Sequence, residues 1–252
     1  MCGIAGFCNR QKSWREDIEL MKDRLISRGP DAEGTWVSPD EDVTLGHRRL
    51  SIMDLSPAGA QPMVSHSGRY VISYNGEIYN CKEVEKRLRR EGRLKELNGG
   101  SDTEVLLEAL EAWGVKEGIS VCKGMFAIAL YDKKEKSLFL IRDRVGEKPL
   151  YFGMVGESFV FASELGAITA LPDFHNPINR EVLDIYMVIS RRRIRFMRGF
   201  ISWSRERYCG YARPIGNGTY RLTGRWQRPQ KWDRKICSGE ALQKHPRNWN
   251  DF

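Results

Sequence analysis

The chain has 252 residues, 41% of them hydrophobic, and carries a formal net charge of +8. That suffices for one sizeable core or a core with an appendage, and no run approaches the roughly 20 apolar residues of a membrane span. The start also lacks the basic-then-apolar order of a secretory leader, since Asn9, Arg10, Gln11 and Lys12 follow a very short apolar run, so the expected location is the cytoplasm. There the six cysteines (Cys2, Cys8, Cys81, Cys122, Cys209 and Cys237) should stay reduced. None forms a C-x-x-C pair suited to zinc, so neither a disulfide framework nor a metal site is expected.

Met1-Cys2-Gly3-Ile4-Ala5-Gly6-Phe7 opens the chain as a buried strand behind a cysteine. Removal of Met1 would place a thiol and a free α-amine on one residue. The amine, with a pKa near 8, can act as base for that thiol. Arg15 to Ile26 has apolar residues at helical spacing, and Arg28-Gly29-Pro30-Asp31 ends it. Val43 to Gly46 reads as a short strand leading into His47-Arg48-Arg49-Leu50-Ser51-Ile52-Met53-Asp54. The Arg48-Arg49 pair is either a solvated face or a guanidinium fork for a carboxylate.

Tyr70 to Tyr74 is a strand that runs into Asn75-Gly76-Glu77-Ile78-Tyr79-Asn80. Asn75-Gly76 predicts either a hairpin turn or a pair of donors aimed at one oxygen, an oxyanion hole. Glu83 to Glu91 reads as an amphipathic helix. Ser101-Asp102-Thr103-Glu104 predicts a capping box that opens a second helix continuing through Trp113. Asp102 there suits the helix dipole and is also open to an ammonium group. Met125–Tyr131 and Ser137–Arg142 predict a hairpin, as do Pro149–Phe152 and Ser158–Ala162, with helices at Glu164–Leu171 and Arg180–Met187. Strands outnumber helices and the hairpins are antiparallel, so the class is α+β, with helices layered over antiparallel sheet.

Taken in order, the runs Met1–Gly6, Arg28–Asp31, Arg49–Ile52, Tyr74–Asn80, Ser101–Glu104, Arg142–Tyr151 and Phe161–Glu164 closely resemble the N-terminal glutamine amidotransferase domain of glutamine-hydrolysing asparagine synthetases. The resemblance spans about residues 1–187. It implies an N-terminal-nucleophile hydrolase fold, a four-layer αββα sandwich with two antiparallel sheets. It also implies that Cys2 attacks the side-chain amide of L-glutamine and forms a thioester, with Asn75 and Gly76 stabilising the oxyanion. Arg49 is then expected to hold the substrate α-carboxylate, Asp102 with Glu77 the α-ammonium, and the backbone of Leu50, Ser51, Ile52 and Met53 to line the pocket. Arg48, where the family often has glutamate, is expected to be a neighbour and not a ligand. The family's ATP-using domain, with its Ser-Gly-Gly-Leu-Asp-Ser-type loop, has no counterpart in the sequence. No cofactor is therefore expected on this chain, and ATP and magnesium would belong to the synthetase domain. The acceptor of ammonia is expected to be absent or supplied in trans, and a homodimer is a possible assembly.

Charge divides the chain near Met187. Residues 1–187 hold 25 Lys and Arg against 29 Asp and Glu, whereas residues 188–252 hold 16 against 4. Re-reading Ile189 to Cys209 in a shifted frame, with free choice of synonymous codons, yields Leu-Pro-Ala-Pro-Tyr-Ser-Ile-Tyr-Glu-Gly-Ile-Tyr-Lys-Leu-Glu-Pro-Gly-Thr-Leu-Leu. That peptide resembles the segment just after the amidotransferase domain in asparagine synthetases. Residues 188–252 are thus expected to be a frame-shifted, disordered tail without a selected hydrophobic period. Other readings are an amidotransferase for a sugar or another carboxylate, a non-functional remnant, and a nucleic-acid-binding arm built on Arg191-Arg192-Arg193 with Phe196, Trp203 and Tyr208.

Overall fold

Two six-stranded antiparallel sheets lie face to face in the computed structural model, which describes residues 1–10, 13–52, 54–177, 200–202, 209–214 and 220–224. The strands are β1 (Gly3–Cys8), β2 (Ala32–Val37), β3 (Val43–Arg49), β4 (Met63–Val64), β5 (Tyr70–Ile78), β6 (Gly124–Asp132), β7 (Ser137–Arg142), β8 (Tyr151–Val155), β9 (Ser158–Ala162), β10 (Phe200–Ser202), β11 (Cys209–Pro214) and β12 (Tyr220–Gly224). The first sheet has the order β10-β8-β9-β1-β3-β2 and the second β12-β11-β7-β6-β5-β4. The helices are α1 (Trp14–Asp23), α2 (Cys81–Arg90), α3 (Asp102–Val121) and α4 (Leu165–Ile168).

Side-chain alternation along each strand separates three apolar layers. Ile4 and Cys8 of β1, Val43 and Leu45 of β3, Val71 of β5, Ala127 and Ala129 of β6, and Phe159 and Phe161 of β9 fill the space between the sheets. The other face of β1, through Ala5 and Phe7, packs on Ile18 and Met21 of α1 and Ala167 and Ile168 of α4. The other face of β5, through Tyr70, Ile72, Tyr74 and Ile78, packs on Val84 and Leu88 of α2 and Val105, Leu106 and Leu110 of α3. The result is the expected helix–sheet–sheet–helix order, and both predicted hairpins form, β6 with β7 and β8 with β9.

Two local expectations differ. Asn75-Gly76 makes no hairpin turn, because β5 runs on to Ile78 and pairs with β6 along its whole length. Gly76 lies so close to the Met125 carbonyl and to Phe126 that a side chain has no room there. Ser101 precedes α3 with an extended backbone, yet its side chain makes no capping bond and its hydroxyl is buried without a partner. Glu104 turns instead to the amides of Asn98 (3.0 Å) and Gly99 (2.9 Å), closing the preceding loop. α3 is kinked at Gly114, whose φ of 76° a side chain would resist. The helix expected over 180–187 lies outside the described residues. So does most of the tail expected to be disordered. Of that tail, β10 pairs with β8, β11 with β7, and β12 with β11.

The run Arg142 to Tyr151 is held by one carboxylate. Buried Asp143 accepts from the amides of Val145 (3.0 Å), Gly146 (2.6 Å), Glu147 (2.9 Å), Lys148 (3.1 Å) and, across the sheet, Phe126 (3.2 Å). The Arg142 guanidinium donates to the carbonyls of Gly146 (2.6 Å) and Lys148. Asp143→Ala leaves these amides without their acceptor. It is expected to cost on the order of 3 kcal/mol or more, seen as a marked fall in the urea midpoint, with Asp143→Asn intermediate.

Candidate active site

Strand parity places three of the expected residues at one end of the layer between the sheets. In the register of β1 with β3, Gly3 faces Arg48 and Ile4 faces His47, so Cys2 falls opposite Arg49 one step beyond. Ile4, His47 and Arg49 share an inward parity with Leu45. Asn75 shares the inward parity of Val71 and Ser73 on β5, in a row with Ala127 and Arg142. Arg48 has the opposite parity. It points outward to Asp23 (3.1 Å) and Glu33 (2.9 Å), as a neighbour would.

The Cys2 thiol is half-buried against the loop after β3. The Leu50 amide donates to its sulfur at 3.4 Å, and the thiol lies 3.7 Å from the Leu50 carbonyl oxygen. Arg28 fixes the backbone at this point: its Nε donates to the Cys2 carbonyl at 3.0 Å while Nη1 pairs with Glu164 at 2.9 Å. Asp31 sets the next turn, accepting from the Ser51 amide at 2.7 Å while its own amide donates to the Arg49 carbonyl at 3.0 Å. The Ile4 amide, next along β1, donates to the buried Ser163 hydroxyl at 3.0 Å. These roles of Arg28, Asp31 and Ser163 were not read from the sequence, although all three lie in its recognisable runs. They act through contacts far apart in the chain, which no local pattern reports.

Arg49 folds against its own loop. Nη1 donates to the Ser56 carbonyl at 3.1 Å, and Nη2 donates to the Asp54 carbonyl. Of the five N–H donors of a guanidinium, two are thus used on these carbonyls. Ile52 is exposed on this loop, and Met53 lies outside the described residues. Asn75 is 2% exposed and its side-chain nitrogen has no hydrogen-bond partner. A buried amide donor left unpaired costs roughly 1–3 kcal/mol. Beside it, fully buried His47 shares a hydrogen bond with the Ser73 hydroxyl at 3.0 Å, which links the two sheets. Burial, helped by the positive charge of Arg49, pushes the His47 pKa down to about 3. The imidazole therefore stays neutral across the physiological range.

Asp102 meets β5 from the opposite face. Its Oδ2 accepts from the Tyr74 hydroxyl at 2.7 Å and from the Ile78 amide at 2.8 Å. Burial raises its pKa above the ordinary 3.8, and the charge of nearby Glu77 adds to the rise against the pull of those two donors. The described residues thus contain two groups: Cys2 before β1 with Arg49, Leu50 and Ser51 at and after the end of β3, and Glu77 of β5 with Asp102 at the start of α3. Asn75 and Gly76 lie on the strand that carries Glu77. Among the described residues no cluster suited to a metal ion occurs, and no helix is long and apolar enough to cross a membrane.

Known proteins resemble this chain in both sequence and fold. A family model described as a glutamine amidotransferase domain matches residues 1–201. Asparagine synthetase (glutamine-hydrolyzing) 3 of Bacillus subtilis (strain 168) is 39% identical over 185 residues, covering 71% of this chain and 29% of the relative. A putative asparagine synthetase (glutamine-hydrolyzing) 2 of Methanocaldococcus jannaschii is 34% identical, with 75% and 39% covered. Amidase chry2 of Gibberella zeae is 34% identical, with 68% and 26% covered. The chain spans well under half the length of these relatives. Among solved structures, a glutamine phosphoribosylpyrophosphate amidotransferase from B. subtilis superposes with a TM-score of 0.57 at 21% identity, over 67% of this chain and 43% of that one. That likeness concerns the fold, and it bears out the expected N-terminal-nucleophile hydrolase sandwich. On the match over residues 1–201, this chain belongs to the glutamine amidotransferase domain family.

Proposed function

We propose that this chain hydrolyses L-glutamine to glutamate and ammonia at Cys2, and that the ammonia serves an asparagine-synthetase-like reaction. The observation that carries the reading is the buried, unpartnered side-chain amide of Asn75, on the inner face at the end of the sandwich where the Cys2 thiol lies. After Met1 is removed, the α-amine of Cys2 takes the thiol proton, directly or through a water. The thiolate attacks the substrate Cδ, and negative charge develops on the amide oxygen. Asn75 Nδ2 and the Gly76 N–H then stabilise that charge. Collapse of the adduct releases ammonia, which leaves with the proton held by the amine. Water then hydrolyses the thioester to glutamate and restores the thiol. Arg49 holds the substrate carboxylate, while Asp102 with Glu77 holds its ammonium. The backbone of Leu50, Ser51 and Ile52 lines the pocket, and the Leu50 N–H donates to the sulfur.

Cys2→Ala is expected to abolish glutamine hydrolysis, and protein that keeps Met1 to lack it. Asn75→Ala should lower kcat on the order of 10²-fold with less effect on KM, whereas Arg49→Ala should chiefly raise KM. Equal effects of both on kcat alone would overturn the assignment. A pH series tests Asp102. The ammonium is held by the charged carboxylate, so protonation weakens binding. In Cys2→Ala protein, which binds without turnover, the Kd for glutamine should rise as pH falls toward the elevated Asp102 pKa. Asp102→Asn should bind weakly with a flat profile; a profile still sloping in that variant would exclude Asp102 as the titrating group.

We also propose that residues 1–187 form the amidotransferase domain, with residues 188–252 a frame-shifted tail. ATP and magnesium then belong to a synthetase domain outside residues 1–187. The change in charge balance near Met187 supports this. The nucleotide sequence across codons 180–210 and downstream decides it. An open shifted frame leading to a pyrophosphate-loop motif is expected, and early stop codons in that frame would refute the reading.

A further inference from the structure

The loop after β3 is tied at both of its sides, and one side chain makes both ties. Asp54 Oδ1 accepts from the Ser56 amide at 2.7 Å, which closes a tight turn in the loop. The carbonyls of these same two residues, Asp54 and Ser56, are the ones that receive the Arg49 guanidinium. Asp54 Oδ2 reaches out of the loop and accepts from the Gly100 amide at 3.0 Å, two residues ahead of Asp102. Hydrogen bonds from the Ser56 hydroxyl and amide and from the Gly100 amide hold the Asp54 carboxyl below the usual carboxylate range. The surroundings are shaped to this arrangement. The space a side chain at Gly99 would need is taken by the Asp54 carboxylate and Ala58, and at Gly59 it is taken by the Arg49 guanidinium. The Ser56 hydroxyl accepts from the Ala58 amide at 3.2 Å and stiffens the adjoining turn Pro57–Gly59.

We propose that Asp54 is a positioning residue that sets the spacing between Arg49 and Asp102, the two ends of the amino-acid subsite. This rests on the reading of the site as one for glutamine. An α-amino acid carries its carboxylate and its ammonium on one carbon, so the groups that hold them must stand at one fixed separation. Arg49 and Asp102 are far apart in the chain and belong to different elements, one at the end of β3 and one at the start of α3. The bond from Asp54 to Gly100 joins the loop of the first to the loop of the second, and farther along the first loop Gln61 Nε2 donates to the Thr103 hydroxyl at 3.4 Å. A subsite held in its bound shape avoids ordering costs when ligand arrives, and loss of the tie transfers those costs to binding. The chemistry at Cys2 and Asn75 does not pass through this tie, so the effect should fall on KM.

Asp54→Ala removes both ties, whereas Asp54→Asn keeps an acceptor oxygen for one of them. In the full chain with Met1 removed, Asp54→Ala is expected to raise KM for glutamine about tenfold and leave kcat within about twofold, with Asp54→Asn in between. The rate at which iodoacetamide alkylates Cys2 without glutamine should match wild type, and the glutamine concentration needed to protect Cys2 should rise with KM. Hydrogen exchange at the Gly100 amide reads the tie itself and should speed up in Asp54→Ala. An unchanged KM, a fall in kcat in proportion to the KM change, or unaltered Gly100 exchange would each overturn the proposal. If wild-type protein hydrolyses no glutamine, the proposed function fails on its own account. Gly100 exchange then still decides whether Asp54 makes the tie.

Discussion

The two sheets bury their inner faces against each other, and the placement of every candidate catalytic group depends on that packing. Ile4, Leu45, Val71, Ala127, Leu140 and Phe161 interdigitate in this layer. Because side chains alternate along a strand, a slip of one residue would turn the whole inner set outward. The same rule that buries Ile4 therefore brings Cys2 to the edge of the layer, and the one that buries Leu45 brings Arg49. The rule that buries Val71 brings Asn75. Hydrophobic burial, which has no chemical specificity of its own, thus selects which polar residues can meet at the open end of the sandwich.

Some polar groups inside this layer find partners within the fold and others do not. His47 Nδ1 and the Ser73 hydroxyl share a hydrogen bond across the sheets, and Ser163 takes the Ile4 amide. Asn75 Nδ2 is buried without a partner, as are His47 Nε2 and Arg28 Nη2. A donor fixed in that state needs no reorganisation when negative charge develops nearby, which is how a site stabilises a transition state more than its substrate. The cost of the unpaired group is spread over a fold whose two sheets are packed on both faces.

Arg49 and Asp102 are placed differently from Cys2 and Asn75. Cys2 and Asn75 sit at or on strands held by ladder hydrogen bonds, whereas Arg49 and Asp102 stand where a strand and a helix meet loops. Loops supply most of the freedom in a small fold, so their separation has to be set by side chains. Asp31 and Arg28 do this around Cys2 and Ser51, Asp143 does it for the turn after β7, and Asp54 joins the loop after Arg49 to the loop before Asp102. Carboxylates serve well here because each oxygen accepts several backbone amides.

The amino-acid sequence by itself determined the α+β class, the hairpins β6–β7 and β8–β9, and the helical spans of α1 and α2 to within a few residues. Each of these is written in local periodicity. It also identified Cys2, Arg49, Asn75 and Asp102 as candidates, since their residue types and runs are recognisable without coordinates. Only the tertiary structure decided that Asn75-Gly76 continues a strand instead of turning. Pairing with β6, more than fifty residues away in the chain, overrides the local preference of Asn-Gly. It alone decided that Glu104 closes the loop before α3 and makes no capping box. It likewise supplied the tasks of Arg28, Asp31, Ser163, Tyr74 and Asp54. Those tasks are hydrogen bonds to residues distant in sequence. A side chain's chemistry can be read from its name, but its partner is set by how the sheets and loops pack, and that is a property of the folded chain as a whole.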